Sequence, residues 1–161
     1  MHYHPFEEKT EEEWFEWHND YSILTALTSA MYLDGEGKEF APQTGGLFCK
    51  NRFSEAARVQ IPENMLAIQL GECAEIFTGG HFQATPHSVA KSREIGGRNI
   101  SRNTYGLFIE PSKLEKMSVP RGINPEWIHH QHPGIPEMKA RWKNGITFRE
   151  FEKNSQELYV P

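Results

Sequence analysis

Phe15-Glu16-Trp17-His18-Asn19-Asp20-Tyr21-Ser22-Ile23-Leu24-Thr25-Ala26-Leu27 joins a His-x-Asp to an apolar run rich in β-branched residues. On a β-strand, side chains two apart share a face, so His18 and Asp20 would present an imidazole nitrogen and a carboxylate oxygen to one point in space. That is two thirds of a facial metal site. The chain holds eight His but only two Asp, Asp20 and Asp34, so a shuffled chain of this composition carries a His-x-Asp roughly one time in ten. The spacing alone does not decide between a ligand pair and two neighbouring surface residues.

Outward from this stretch, apolar segments are short, rich in β-branched and aromatic residues, and separated by turn chemistry, the pattern of an antiparallel β protein. Strands are expected at residues 23–33, 46–50, 58–61, 66–70, 74–78, 83–90 and 104–110. Asp34-Gly35-Glu36-Gly37, Thr44-Gly45-Gly46, Gly79-Gly80 and Gly96-Gly97 supply turns between them. So many strands at such spacing suggest a sandwich, jelly roll or barrel. After Pro111 the character changes, with Pro120, Pro125, Pro133 and Pro136 interrupting the chain. Thr147-Phe148-Arg149-Glu150-Phe151 then has the form of a capping box and opens a C-terminal helix.

At 161 residues with a net charge of −5, the chain suits one core and gives no reason to expect nucleic acid as a partner. The acidic run Glu7-Glu8-Lys9-Thr10-Glu11-Glu12-Glu13 reads as a solvated face. No apolar stretch is long enough to span a bilayer, and no membrane partner is expected. The first residues are unlike a secretory signal, so a cytoplasmic location is the expectation. Cys49 and Cys73, with no Cys-x-x-Cys spacing, read as reduced and packed thiols.

A metal site needs a third ligand, and His87 in Ala84-Thr85-Pro86-His87-Ser88-Val89 is the candidate, on an expected strand far along the chain. Two imidazoles and a carboxylate leave three octahedral positions open, which suits Fe(II) holding a cosubstrate and dioxygen. Zinc hydrolases use the same donors, but the helical His-Glu-x-x-His spacing is absent. His81, in a Gly-rich turn, is the nearest rival to His87. His129-His130-x-His132 has the composition of a metal cluster but lies in the Pro-rich tail, where a surface reading is favoured.

The chain resembles the Fe(II)- and 2-oxoglutarate-dependent oxygenases of the isopenicillin N synthase-like group. The resemblance rests on His2-Tyr3-His4-Pro5, on Phe15-Glu16-Trp17-His18-Asn19-Asp20 with Leu24-Thr25-Ala26-Leu27, and on Gly46-Leu47-Phe48. It continues through Leu70-Gly71-Glu72, Phe77-Thr78-Gly79-Gly80, Ala84-Thr85-Pro86-His87-Ser88-Val89 and Ser101-Arg102-Asn103-Thr104-Tyr105-Gly106-Leu107-Phe108, and reaches the tail from Arg141 to Phe151. Each piece is moderately specific, and their order and spacing are the stronger signal.

This resemblance implies a mostly β fold, a double-stranded β-helix or jelly roll, incomplete at the N-terminus and followed by a C-terminal helix. Residues 1–111 would form the oxygenase core, lacking the early strands and helical N-terminal region of the family, and residues 112–161 a Pro-rich extension ending in the helix. Sheet edges left uncovered would favour association. The family pattern His-x-Asp…His…Arg-x-Ser maps onto His18, Asp20 and His87 as catalytic metal ligands and onto Arg102 and Thr104, with Thr replacing Ser, as the grip on the far carboxylate of 2-oxoglutarate. An Arg fork and a hydroxyl two residues on suit that guest. Arg98 is the rival to Arg102, and Tyr3 resembles the tyrosine that closes the same pocket. The implied activity is a dioxygenase using Fe(II), 2-oxoglutarate and dioxygen to hydroxylate a small organic molecule, with succinate and CO2 as co-products. An oxidase of the isopenicillin N synthase kind, without 2-oxoglutarate, and an inactive interaction module are the alternatives.

Overall fold

Pro86 lacks an amide hydrogen and cannot join a strand ladder, and the strand expected from residue 83 begins only after it, at His87. The computed structural model describes residues 1–3, 13–92, 100–128, 132 and 134–159, with the backbone alone for His2, Tyr3 and Tyr159. In chain order these residues form β1 (His2–Tyr3), β2 (Glu13–His18), β3 (Leu24–Leu27), β4 (Met31–Leu33) and β5 (Glu39–Phe40). Next come β6 (Gly46–Lys50), β7 (Ala56–Arg58), β8 (Ala67–Leu70), α1 (Glu72–Phe77), β9 (His87–Ala90), β10 (Ser101–Asn103) and β11 (Gly106–Ile109). The chain ends with β12 (Lys116–Met117), α2 (Met138–Arg141), β13 (Ile146–Thr147) and α3 (Phe148–Tyr159).

The fold is mostly β with few helices. Its sheets run β1-β10-β4-β5, β2-β9-β6-β7, β11-β3-β8 and β12-β13. No helix among the described residues is long and apolar enough to cross a membrane. Ile68 on β8 and Leu107, Phe108 and Ile109 on β11, the outer strands of the three-stranded sheet, are exposed apolar residues.

Two compact units divide the chain. One comprises residues 1–17, 26–68 and 86–107. Its core gathers Leu27, Leu47 and Val89, with Trp14, Cys49, Val59, Ile61 and Ala67 packed around them. Within it β9 lies antiparallel to β6, with Cα partners running from Gly46↔Ala90 to Cys49↔His87. The other unit comprises residues 18–25, 69–85 and 108–161. Cys73 and Ile76 of α1, Met117, Ile128, Met138, Trp142, and Phe148 and Phe151 of α3 form its core. The expected capping box at the start of α3 is present: Thr147 donates through its amide and its hydroxyl to Glu150 Oε2, both at 2.7 Å, and the Glu150 amide returns a 3.3 Å bond to Thr147 Oγ1.

Several sequence expectations need correction. Residues 74–78 belong to helix α1 and the turn after it, not to a strand. A short apolar run such as Cys73-Ala74-Glu75-Ile76-Phe77 has no period that separates the two states. What decides is Gly71, whose extended conformation (φ −100°, ψ 175°) caps the helix while the amides of Gly71, Glu72 and Cys73 donate to the carbonyls of Ile23, Asp20 and Ser22. The strand expected over 23–33 is two strands, because Thr28 turns its bonds to the 104–105 segment: its amide donates to Tyr105 O, and its Oγ1 accepts the Tyr105 amide. Tyr105 is drawn into that turn, so the strand expected from residue 104 starts at Gly106. Residues 101–103, outside every expected strand, form β10. The strand expected at 58–61 lies at Ala56–Arg58.

Candidate metal centre

Strand β2 ends at His18, so Asp20 lies just beyond the strand's last residue. The two side chains meet there, with His18 Nε2 3.9 Å from Asp20 Oδ1 and both side chains mostly buried. The Asp20 carboxylate is braced from the adjacent strands β3 and β8. Its Oδ2 accepts the Thr25 hydroxyl at 2.6 Å and Gln69 Nε2 at 3.1 Å. Thr25 is itself in contact with the Ser22 hydroxyl at 3.1 Å. Thr25, Ser22 and Gln69 are all buried, so the carboxylate's orientation is fixed by neighbours that have little room to move.

His87 opens β9 and is 6% exposed. One ligand atom from each of His18, Asp20 and His87 lies within 4.8 Å of the others. Two imidazoles and a braced carboxylate are a donor set suited to a divalent first-row metal ion.

The backbone segment that carries Asp20 is held by a buried ion pair. Glu72 and Arg141, each 1% exposed, meet in a fork: Arg141 Nη1 donates to Glu72 Oε2 and Nη2 to Oε1, both at 2.6 Å. Asn19 Nδ2 donates to Glu72 Oε1 at 3.2 Å, and the Glu72 amide donates to the Asp20 carbonyl at 2.8 Å. Burial pushes the Glu72 carboxyl above the ordinary carboxylate value, and the Arg141 hydrogen bond and charge offset part of that rise. Asn19 thus faces Glu72.

Arg102 sits at the centre of β10, with Tyr3 as its Cα partner on β1 and Tyr32 on β4. It is 5% exposed, and its Nε donates to the Tyr32 hydroxyl at 3.2 Å. Thr104, two residues on and also buried, donates its hydroxyl to the Thr28 carbonyl at 3.1 Å and keeps its oxygen lone pairs as acceptors. A buried guanidinium is costly without partners, and Tyr32 supplies one. A Cβ on Gly46 would stand 2.9 Å from the Tyr32 hydroxyl, so glycine there makes room for it.

Of the rivals, His81 is exposed in the turn after α1, against the Phe82 ring. Arg98, His129 and His130 lie outside the described residues. Cys49 and Cys73 are free thiols, as expected; burial pushes Cys49 up to about 11 and Cys73 higher still, so neither is a thiolate at neutral pH. Thr25, Gln69, Tyr32 and the Asn19–Glu72–Arg141 chain were not singled out by sequence reasoning. Only Thr25 carried a local signal, as the polar residue within the apolar run after Asp20.

No family profile matches the chain, and no curated protein matches it. Solved structures share its fold, among them the following three. A full-length Neurospora crassa protein in complex with alpha-KG is 15% identical, with 92% of this chain and 38% of that chain covered and a TM-score of 0.58. A 2OG-Fe(II) oxygenase family protein from Caulobacter crescentus, itself described as putative, is 19% identical, with 98% and 43% covered and a TM-score of 0.58. The dioxygenase for auxin oxidation in rice is 14% identical, with 91% and 41% covered and a TM-score of 0.56. The chain spans about two fifths of the length of these proteins. At such identities the likeness is one of fold.

Proposed function

We propose that this chain carries the metal- and cosubstrate-binding part of an Fe(II)- and 2-oxoglutarate-dependent oxygenase built on a double-stranded β-helix. His18, Asp20 and His87 are the metal ligands. The observation that carries the reading is the gathering of their ligand atoms within 4.8 Å, in a fold shared with proteins described as 2-oxoglutarate oxygenases or bound to alpha-KG. Arg102 grips the far carboxylate of 2-oxoglutarate with Thr104 beside it, and Tyr3 belongs to the same pocket.

When bound, Fe(II) supplies the redox chemistry, coupling 2-oxoglutarate and dioxygen to oxidation of a small organic substrate, with succinate and CO2 as co-products. The chain's own residues do the rest. Thr25 and Gln69 hold one Asp20 oxygen, which leaves the carboxylate turned toward His18. Tyr32 holds Arg102 Nε, directing the remaining guanidinium donors at a dianionic guest. The burial of His87 and Arg102 keeps competing water from these donors and strengthens every polar contact they make.

An anaerobic Fe(II) titration with and without 2-oxoglutarate, followed through the visible metal-to-ligand absorption band, tests the reading. The wild-type chain develops the band, His87→Ala abolishes it and His81→Ala leaves it. Arg102→Gln weakens 2-oxoglutarate saturation by about tenfold or more, the worth of charge-assisted hydrogen bonds, while sparing Fe(II) affinity. Absence of Fe(II) binding, or loss of the band in His81→Ala with its retention in His87→Ala, overturns the ligand set. Oxidation without 2-oxoglutarate would instead assign the chain to the oxidase class.

A further inference from the structure

The most heavily buried charges among the described residues, Glu72 and Arg141, are not among the proposed metal or cosubstrate ligands, yet Glu72 is bonded to the segment that carries the Asp20 carboxylate. We infer that Arg141, Glu72 and Asn19 form a positioning relay that sets how tightly Asp20 holds the metal ion. The inference rests on the reading of Asp20 as a ligand.

Glu72 touches the Asp20 segment twice. Its carboxylate accepts the side-chain amide of Asn19 at 3.2 Å, and its own backbone amide donates to the Asp20 carbonyl at 2.8 Å. The residues on which the ligand hangs are therefore tied to one glutamate by its side chain and its backbone together. Glu72 in turn is held by the Arg141 fork, whose two 2.6 Å bonds fix the carboxylate plane as well as its position. A single-point cation such as lysine would fix position only.

Arg141 is anchored from its own side by residues of the C-terminal segment. Its Nη1 donates to Ser155 Oγ at 3.1 Å and its Nη2 to the Pro136 carbonyl at 2.9 Å. Asn154 Nδ2 donates to the Arg141 carbonyl at 2.9 Å, and the Phe151 ring lies 5.8 Å from the guanidinium carbon. The guanidinium therefore has little freedom to follow Glu72, and it is Glu72 that is constrained.

The energetics favour a positioning role over a stabilising one. A buried ion pair gains little net stability over apolar residues of the same volume, because desolvation consumes most of the Coulombic gain. Its directional bonds are what apolar packing cannot reproduce. Metal affinity is sensitive to such outer contacts, whose removal typically weakens it about 10- to 100-fold.

The test uses Co(II) as probe, with affinity and the visible ligand-field spectrum read on the full chain without cosubstrate, and folding checked by circular dichroism. Asn19→Ala removes the side-chain tie and leaves the fork; Arg141→Lys keeps the charge and loses the fork. Each is expected to bind Co(II) about tenfold or more weakly, with a changed ligand-field spectrum. Thr147→Ala, which loosens the start of α3 away from the relay, lowers thermal stability and leaves Co(II) affinity as in the wild type. If Asn19→Ala is folded and binds Co(II) within about twofold of wild type with the same spectrum, the relay is refuted, whatever the folding of Arg141→Lys. If the wild-type chain binds no Co(II) or Fe(II), the metal-site reading fails and the relay falls with it.

Discussion

Gly71→Ala probes the joint on which Asp20, the proposed metal carboxylate, hangs. A Cβ added at Gly71 would lie 2.1 Å from the Ser22 carbonyl oxygen, 2.8 Å from its carbon and 2.9 Å from the Asp20 carbonyl oxygen. An ordinary carbon–oxygen approach is roughly 3.3 Å, so the two backbones must part by about 1 Å. Every obstructing atom is main chain, and no side-chain rotation relieves the clash. The glycine's φ of −100° is open to alanine, so the effect is one of space and not of backbone preference. Separation strains the bonds from Gly71 N to Ile23 O (3.0 Å), Glu72 N to Asp20 O (2.8 Å) and Cys73 N to Ser22 O (3.2 Å). Losing two of them, at about 0.5–1.5 kcal/mol each, together with overpacking of about 1–3 kcal/mol, costs on the order of 2–6 kcal/mol. For a protein of this size that is a drop in Tm on the order of 10 °C. Because the Asp20 carbonyl loses its anchor, metal affinity falls as well. Thermal melts of the metal-free chain and Co(II) titration at low temperature measure the two effects separately. A Gly71→Ala chain with a Tm within about 2 °C of wild type and unaltered Co(II) affinity would refute the argument.

Thr147→Ala removes the capping hydroxyl of α3 and is expected to cost about 1 kcal/mol, read as a lower Tm. The Thr147 amide and hydroxyl hold the Glu150 carboxyl below its ordinary value. The part of the cap accepted by the Glu150 carboxylate is therefore complete above the ordinary carboxylate range and is lost as pH falls through the lowered folded value; the gap between melts of wild type and Thr147→Ala should narrow in acid to what the Glu150 amide bond to Thr147 Oγ1 contributes, and a constant gap down to the lowest pH would contradict the carboxylate half of the cap. For Cys49 the sign is opposite. Its folded value of about 11 lies above that of the unfolded thiol, so above the ordinary thiol range ionisation favours the unfolded chain and stability declines toward pH 11. The buried Cys73 thiol should resist iodoacetamide in the native chain at about pH 8 and react in denaturant; its rapid native alkylation would refute that burial.

How legible each part was follows from how far along the chain its causes lie. The capping box at Thr147 and Glu150 is written within four residues, and the structure has it bond for bond. The Asp34-Gly35-Glu36-Gly37 turn is equally local: Asp34 Oδ1 accepts the amides of Glu36 and Lys38 between β4 and β5. The proximity of His18 and Asp20 was also legible from their two-residue spacing, although β2 itself stops at His18. Helix α1 was misread because its deciding interactions are not its own. The carbonyls that satisfy its first amides belong to residues 20–23, about fifty positions earlier.

The same distinction runs through the candidate site. A metal restricts the chemistry of its donors, so imidazole and carboxylate at short spacing stand out in a composition with two Asp. The groups that aim those donors obey no such restriction. Gln69 reaches Asp20 across 49 positions, Asn19 reaches Glu72 across 53, and Arg141 reaches Glu72 across 69. Any amide, carboxylate and guanidinium brought to those points by the fold would serve, so residue type alone marks none of them. Two of the proposed donors are thus local in sequence and all three are chemically conspicuous, whereas the groups that hold the Asp20 segment are distributed over β3, β8, α1 and α2. Substitutions at Gly71, Asn19 and Arg141 should accordingly weaken the metal site without altering a single proposed ligand.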